Sequence, residues 1–322
     1  MNGELNRIRF VGSQRNCPPP MFTLAHLSDV HIGPLPKAES WRDYWGKRAL
    51  GKINWHRRRR FLHDPAIAMA MIADIKAHSP DHVAVTGDLI NIALRQEFIE
   101  AAQWLKAFGE PDWITLVPGN HDAYRPFPWD QGAGLWSDYM RGDIRHERSG
   151  EATEPLFPFV RQRRNVALIG LSTAVPTSLF RAGGRLGADQ LEKLGPILQD
   201  LQRRGFYRIV LIHHPPVPGL TSRRRALDDD QKLKKILEAN GADLVLYGHN
   251  HRHGRTSLPT RSGQAHIIGV PSATSPAGGH YDPAAWYLYK IRRLDGAWSA
   301  QVTVRSWDGK QGTFVAQSAF TL

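Results

Sequence analysis

The sequence predicts an α/β fold in which two β-sheets pack together with helices on their outer sides. Three observations carry that expectation. Short apolar runs of strand length recur along the 322-residue chain. Helix-length segments lie between them, and several of the runs open directly into polar loops rich in glycine, histidine and acid. A chain of this size with 41% hydrophobic residues can bury a substantial core, and it shows no internal repeat. Residues 21–322 are read as one domain with a basic, tryptophan-rich insertion at about 37–60, behind a lead at 1–20.

The elements follow in order. Residues 1–20 hold Arg7, Arg9 and Arg15 before Cys17 and the prolines Pro18 to Pro20, and are expected to be disordered. Strands are expected at Phe22 to Leu27, His82 to Thr86, Ile209 to Ile212 and Leu244 to Tyr247. A helix is expected from Pro65 to Ala77, and another from about Asp229 to Ala239, closed by Gly241. The second has Asp228 to Asp230 at its start and Lys234 and Lys235 later, as the helix dipole prefers. Two more strands, Ala285 to Arg293 and Trp298 to Ser306, are joined by Asp295-Gly296.

Cysteine is nearly absent. Cys17 stands alone, so no intrachain disulfide can form, and a reducing compartment is expected. No run of about 18 apolar residues occurs and the N-terminus lacks the apolar core of a signal peptide. The expectation is therefore a soluble, cytoplasmic protein.

The polar loops carry the chemistry. They are Asp29-Val30-His31, Gly87-Asp88, Gly119-Asn120-His121-Asp122, His213 at the end of an apolar run, and Gly248-His249-Asn250-His251. Each alone is a weak signal. Together they offer oxygen and nitrogen ligands for two cations, and four of the five follow a predicted strand, so they converge at strand carboxyl ends. A carboxylate shared by two cations and ringed by histidines suits activation of water against a phosphorus ester. Mixed imidazole, carboxylate and amide donors favour Mn, Fe or Zn over Mg or Ca. Two ambiguities stay open on the residues alone. His213 and His214 are adjacent and would face opposite ways on a strand, and His249, His251 and His253 share one face of an extended segment.

In order and spacing these motifs resemble the calcineurin-like metallophosphoesterases, from about Phe22 to about Pro271. The resemblance implies an αββα sandwich. It puts Asp29, His31 and His251 on a first metal, Asn120, His213 and His249 on a second, and Asp88 between them, with a metal-bridging hydroxide as nucleophile. It makes His121 a proton donor to, or stabiliser of, the leaving oxygen, with Asp122 expected to fix the imidazole's tautomer and raise its pKa. The pattern selects His213 over His214 and leaves His253 as the spare. It departs from the purple acid phosphatase branch, whose tyrosine three residues after the bridging aspartate is replaced by Asn91 and whose first motif ends in glycine rather than His31. The implied activity is a phosphodiesterase, with cyclic nucleotides, a lipid-linked diphosphate such as UDP-2,3-diacylglucosamine, and nucleic acid as substrate classes. The full ligand set argues against a non-enzymatic scaffold.

Between the first two motifs lies a second feature. Lys37 to Arg60 carries nine basic residues against Glu39 and Asp43, within a chain of formal charge +12, and interleaves Trp41, Tyr44, Trp45 and Trp55. On one continuous helix Trp41, Tyr44, Trp45, Arg48, Lys52 and Trp55 would form a stripe, which Gly46 and Gly51 weaken. The segment reads as an anionic-membrane contact, ahead of a nucleic-acid path, with a solvated flap as the plain alternative.

Overall fold

The computed structural model describes residues 21–143, 157–279 and 281–322. The expected disordered lead, Cys17 included, lies outside them. In chain order the strands are β1 (Phe22–Leu27), β2 (His82–Val85), β3 (Ile114–Leu116), β4 (Phe159–Arg163), β5 (Val166–Gly170), β6 (Tyr207–Leu211), β7 (Leu244–Tyr247), β8 (Gly254–Thr260), β9 (Gly263–Gly269), β10 (Ala285–Leu294), β11 (Ala297–Asp308) and β12 (Thr313–Thr321). The helices are α1 (Lys47–Arg57), α2 (Pro65–His78), α3 (Arg95–Phe108), α4 (Ala188–Arg203) and α5 (Asp230–Asn240). One sheet runs β12-β11-β10-β1-β2-β3 and the other β4-β5-β6-β7-β9-β8, each with six strands. Thus the C-terminal strands complete the sheet that the first motif strands begin.

Alternation along β6 shows how the layers are held. Tyr207, Ile209 and Leu211 enter the core between the sheets, beside Leu24, Leu27 and Val85 of the other sheet. Val210 and Ile212 face the opposite way, onto Leu191, Leu194 and Leu198 of α4 and Leu233 and Leu237 of α5. Buried on both faces, Ile209 to Ile212 are apolar without alternation, which made the run readable, while the buried Arg208 near the strand's start is paired with Asp243. On the first sheet, α2 and α3 join the same core through Met71, Ile75, Phe98 and Leu105.

The predicted helices are present, each shifted by no more than a residue at either end. The α2 helix starts because the Asp64 carboxylate accepts the Ala66 N–H at 2.9 Å with Pro65 in the first turn. The α5 helix stops at Gly241, whose φ of 74° a side chain would resist. The basic segment differs from the single stripe. Residues Trp41–Tyr44 form a separate 3-10 turn, Gly46 breaks the chain at φ 69°, and only then does α1 begin. Gly51, read from sequence as a helix weakness, is where α1 lies against the 88–94 loop: a Cβ there would run into the Ile92 side chain and the Tyr124 hydroxyl.

Candidate metal centre

All five motif loops leave the carboxyl ends of strands, after β1, β2, β3, β6 and β7. The third had no predicted strand before it because β3 is only three residues long. The loops are laced to each other through the backbone: Asp29 N–H donates to Gly87 O at 2.9 Å, His31 N–H to Asp88 O at 3.0 Å and Gly248 N–H to His213 O at 3.1 Å. Contact is close enough that a Cβ on Gly119 would strike the Asp88 carboxylate, and one on Gly248 would strike Asp29 and Ser28. Among the described residues ten non-glycines have positive φ, and five of them are Asp29, His31, Asp88, His249 and His251. Such backbone is costly for a side-chain-bearing residue and persists where the surroundings impose it.

The side chains gather into two groups that meet at one carboxylate. Asp29 Oδ1 lies 3.1 Å from His251 Nε2, which is 3.4 Å from His31 Nε2. His213 Nε2 lies 3.2 Å from Asn120 Oδ1. Ligand atoms of Asp29, His31 and Asp88, and of Asp88, His213 and His249, each fall within 4.8 Å of one another. Asp88 Oδ2 sits between the groups, 3.3 Å from His213 Nε2 and 3.9 Å from His31 Nε2. The outer nitrogens are committed: His31 Nδ1 donates to Ile90 O at 3.1 Å and His213 Nδ1 to Thr86 O at 2.6 Å. Each Nε2 therefore faces the centre and offers its lone pair when the ring is neutral, an arrangement typical around metal-bound histidine.

Electrostatics follow from the crowding. Burial would raise the carboxyl of Asp88, but His213 and His121 outweigh it and hold the group well below the usual range. His213 is opposed by burial yet pushed up to about 9, chiefly by Asp88. These residues fit two divalent cations. The donor set is mixed oxygen and imidazole, almost wholly buried, and the buried His249 Nε2 has no hydrogen-bond partner among the described residues. A buried, unpaired imidazole nitrogen on a residue grouped with Asp88 and His213 is well explained as a ligand.

Two open choices are separated by geometry. His214 turns away, its Nδ1 at 2.7 Å from Thr173 Oγ1 and its Nε2 at 3.3 Å from Ala182 O. His253 also points elsewhere, with Nδ1 at 2.7 Å from Tyr287 Oη.

The role expected of Asp122 needs correction. Its carboxylate does not orient the His121 ring but accepts backbone N–H groups of Asp88, Leu89, Ile90 and Gly119 at 2.8–3.3 Å, clamping the loops that carry Asp88 and Asn120. The imidazole of His121 instead donates from Nδ1 to Asn91 O at 2.5 Å and stacks on Tyr124. Nor is its pKa raised: burial, and then Arg59, bring it down to about 3. Asn91, already noted for lacking a tyrosine, is thus the residue that sets the tautomer.

Two residues near the centre escaped the motif reading. Arg59, in the 3-10 turn Arg59–Phe61 after α1, places Nη2 2.8 Å from His121 Nε2 and Nη1 3.2 Å from His121 Nδ1. His63 brings a ligand atom within 4.8 Å of those of His31 and His251, while its Nδ1 lies 2.8 Å from Thr274 Oγ1. Both come from or just beyond the basic segment, whose charge is therefore partly spent inside the fold. Arg48 is buried and donates to the carbonyls of Ile92 and Ala93. Lys47 Nζ reaches Thr177 Oγ1 at 2.7 Å. Trp55 is buried, its ring against Gly33.

Comparison with known proteins places this geometry in context. The family model described as calcineurin-like phosphoesterase matches residues 22–253. A protein of Synechococcus sp. (strain ATCC 27144) named "Probable cyclic nucleotide phosphodiesterase" is 26% identical over 238 residues, covering 73% of this chain and 81% of that protein. A second of the same name from Synechococcus sp. (strain WH7803) is 29% identical over 125 residues, covering 34% of this chain and 47% of that protein. Among solved structures, a dimetal phosphatase from Danio rerio superposes with a TM-score of 0.54 at 13% identity, over 93% of this chain and 98% of that one. That structural likeness concerns the fold. Among the described residues no helix is long and apolar enough to cross a membrane.

Proposed function

The chain belongs to the calcineurin-like phosphoesterases, metal-dependent phosphoester hydrolases, and from that premise we propose that it is a dinuclear phosphodiesterase. The observation that carries the reading is the Asp88 carboxylate lying between the two histidine groups. Two cations, when bound, supply an activated water and neutralise charge on the phosphoryl oxygens. Asp29, His31, Asp88 and His251 would hold one, and Asp88, Asn120, His213 and His249 the other. The protein's own groups do the rest. Asp122 fixes the relative position of the Asp88 and Asn120 loops. Arg59 offers two N–H donors to the phosphate, and on doing so leaves His121 Nε2; with the guanidinium's charge, after burial the next cause of the ring's lowered pKa, answered by the phosphate, Nε2 can take up a proton and pass it to the leaving oxygen. Asn91 holds the ring in place for that contact.

The diester preference is tested with Mn-reconstituted protein on bis-p-nitrophenyl phosphate against p-nitrophenyl phosphate. Faster cleavage of the diester, abolished by chelation and restored by Mn, is expected. Fully metallated protein that cleaves only the monoester sinks the diesterase reading. The relatives' name favours cyclic nucleotides as the first soluble substrates to try. Contact with an anionic membrane rests on the cations that remain outward, Arg42, Arg57, Arg58 and Arg60, with Trp41 and Trp45 about two-thirds exposed. Sedimentation with anionic but not neutral vesicles is the expected result, and equal failure to bind either removes the membrane.

A further inference from the structure

Beside the centre a cleft of about 520 Å³ opens between α1 and the turn at 177–182, with Asn120, His121 and Arg59 at its inner end. Apolar side chains make up most of its exposed surface, and Lys47, Arg57, Arg58, Arg59 and Arg181 also border it. Leu50 and Ile53 of α1 face it from one side and Leu179 and Phe180 from the other. Eleven large hydrophobic residues are strongly exposed among the described residues, and these are four of them, at 42%, 49%, 49% and 79%. Scattered exposed apolar side chains are ordinary, but a cluster lining a concavity that leads to reactive groups marks a binding site. Phe180 adds a second sign, since this bulky exposed residue is held at φ 64°, a conformation non-glycine residues adopt at a cost. The walls are tied together by Lys47 Nζ, which bonds Thr177 Oγ1 at 2.7 Å and stands 4.5 Å from the Tyr124 ring centroid. The cleft therefore exists before a ligand arrives.

We propose that this cleft receives an alkyl or acyl chain on the phosphodiester substrate, so that the enzyme acts on an amphiphilic phosphate ester held by its phosphate at Arg59 and by its chain between α1 and the 177–182 turn. The proposal rests on the phosphodiesterase reading. The lining combines cations suited to a phosphate, Arg59 beside His121 among them, with four apolar side chains suited to an alkyl chain, and a compact polar ester would leave those four uncovered. In the reaction water attacks phosphorus, the bond to the leaving oxygen breaks, and the chain-bearing phosphate monoester is the product.

The test is a series of p-nitrophenyl alkyl phosphodiesters, methyl, butyl and octyl, below their micellar concentrations with Mn-loaded protein. Full burial would raise binding about fourfold per methylene, so a partly open cleft should give an octyl-to-methyl ratio in kcat/KM of at least about tenfold, expressed mainly in KM. Ile53→Asp and Leu179→Ser, both at half-exposed positions outside the core, should each bring that ratio to within about twofold of unity. Equal kcat/KM for methyl and octyl esters overturns the subsite and leaves the diesterase reading standing. If no diester is cleaved, the diesterase reading falls instead. Calorimetry with octylphosphonate against methylphosphonate then decides the cleft, because equal affinities overturn it and a tenfold preference that Ile53→Asp removes upholds it.

Discussion

The metal centre and the cleft wall beside it share a boundary at His121 but are built in opposite ways. The centre hangs on five loops that each leave a buried strand and bond to one another, so its side chains are placed by the two sheets. The cleft's inner wall is the short helix α1 and the 3-10 turn after it, which carry little core of their own, α1 burying only Arg48, Gly51 and Trp55. It is positioned by single long contacts, Arg48 to the carbonyls after the Asp88 loop and Lys47 to Thr177. Chemistry that must not move is set on strands, and recognition of the substrate's remote part is set on an element that can vary.

The largest break in that comparison is at the shared carboxylate. Asp88→Asn removes the charge common to both ligand groups, and turnover should fall on the order of 10³-fold or more, with metal content per chain dropping from two toward one or none by elemental analysis. Full activity after exhaustive chelation, with no metal detected, would falsify the dinuclear reading.

Next comes the boundary residue. His121→Ala should retain both metals, since the ring bonds to Asn91 and Arg59 rather than to a proposed ligand, and lose about 10²–10⁴ in turnover on a diester with an alkoxide leaving group. The loss should shrink with p-nitrophenolate, which needs little help to depart. Metal loss in step with rate would move His121 from substrate to metal.

How much of this was legible depends on how each residue is placed. Asp29, Asp88 and His249 stood out because each follows an apolar run of strand length, and Asn120 because it follows Pro118-Gly119, and only the five motifs taken together pointed to one centre. Arg59 and His63 did not, because they meet His121 and Thr274 across 62 and 211 residues from a segment whose charge run resembled a solvated or membrane-facing surface. Asp122 misled for a related reason. Its sequence neighbour is an imidazole, but its spatial neighbours are four backbone N–H groups, and a carboxylate takes the denser set of donors. The stripe of Trp41 through Trp55 failed at Gly46, where positive φ divides two helices.

Arg59 sharpens the comparison, since it is the wall's direct reach into the centre. Arg59→Gln should keep both metals and lower kcat/KM about 10- to 100-fold, the equivalent of a charge-assisted hydrogen bond of ~1.5–3 kcal/mol. Arg59→Lys should recover only part of it, because the ammonium cannot offer the paired fork. An unchanged Ki for inorganic phosphate in Arg59→Gln would show that the guanidinium does not hold the phosphoryl group. His63→Ala probes the same reach toward metal. With Nδ1 bonded to Thr274 Oγ1 and a ring nitrogen within 4.8 Å of ligand atoms of His31 and His251, its loss should weaken first-site affinity for Mn about 10- to 100-fold while excess Mn restores turnover. An unchanged affinity would assign His63 to packing alone.

The smallest effect is expected from the third histidine of the last motif. His253 follows His249 and His251 at the same spacing, but its backbone N–H donates to Asp282 Oδ2 at 2.7 Å and its ring stacks on Tyr287 while bonding the phenol. Its environment is thus closed without a cation. His253→Ala should leave two metals per chain and turnover within about twofold, and cost roughly 1 kcal/mol of stability from one lost hydrogen bond. His249→Ala and His251→Ala should instead each empty or loosen one site. The contrast is sharp because all three share a strand-end segment and differ only in what their rings face. If His253→Ala lost metal as readily as the other two, sequence spacing rather than the left-handed backbone at residues 249 and 251 would be the better guide to this centre.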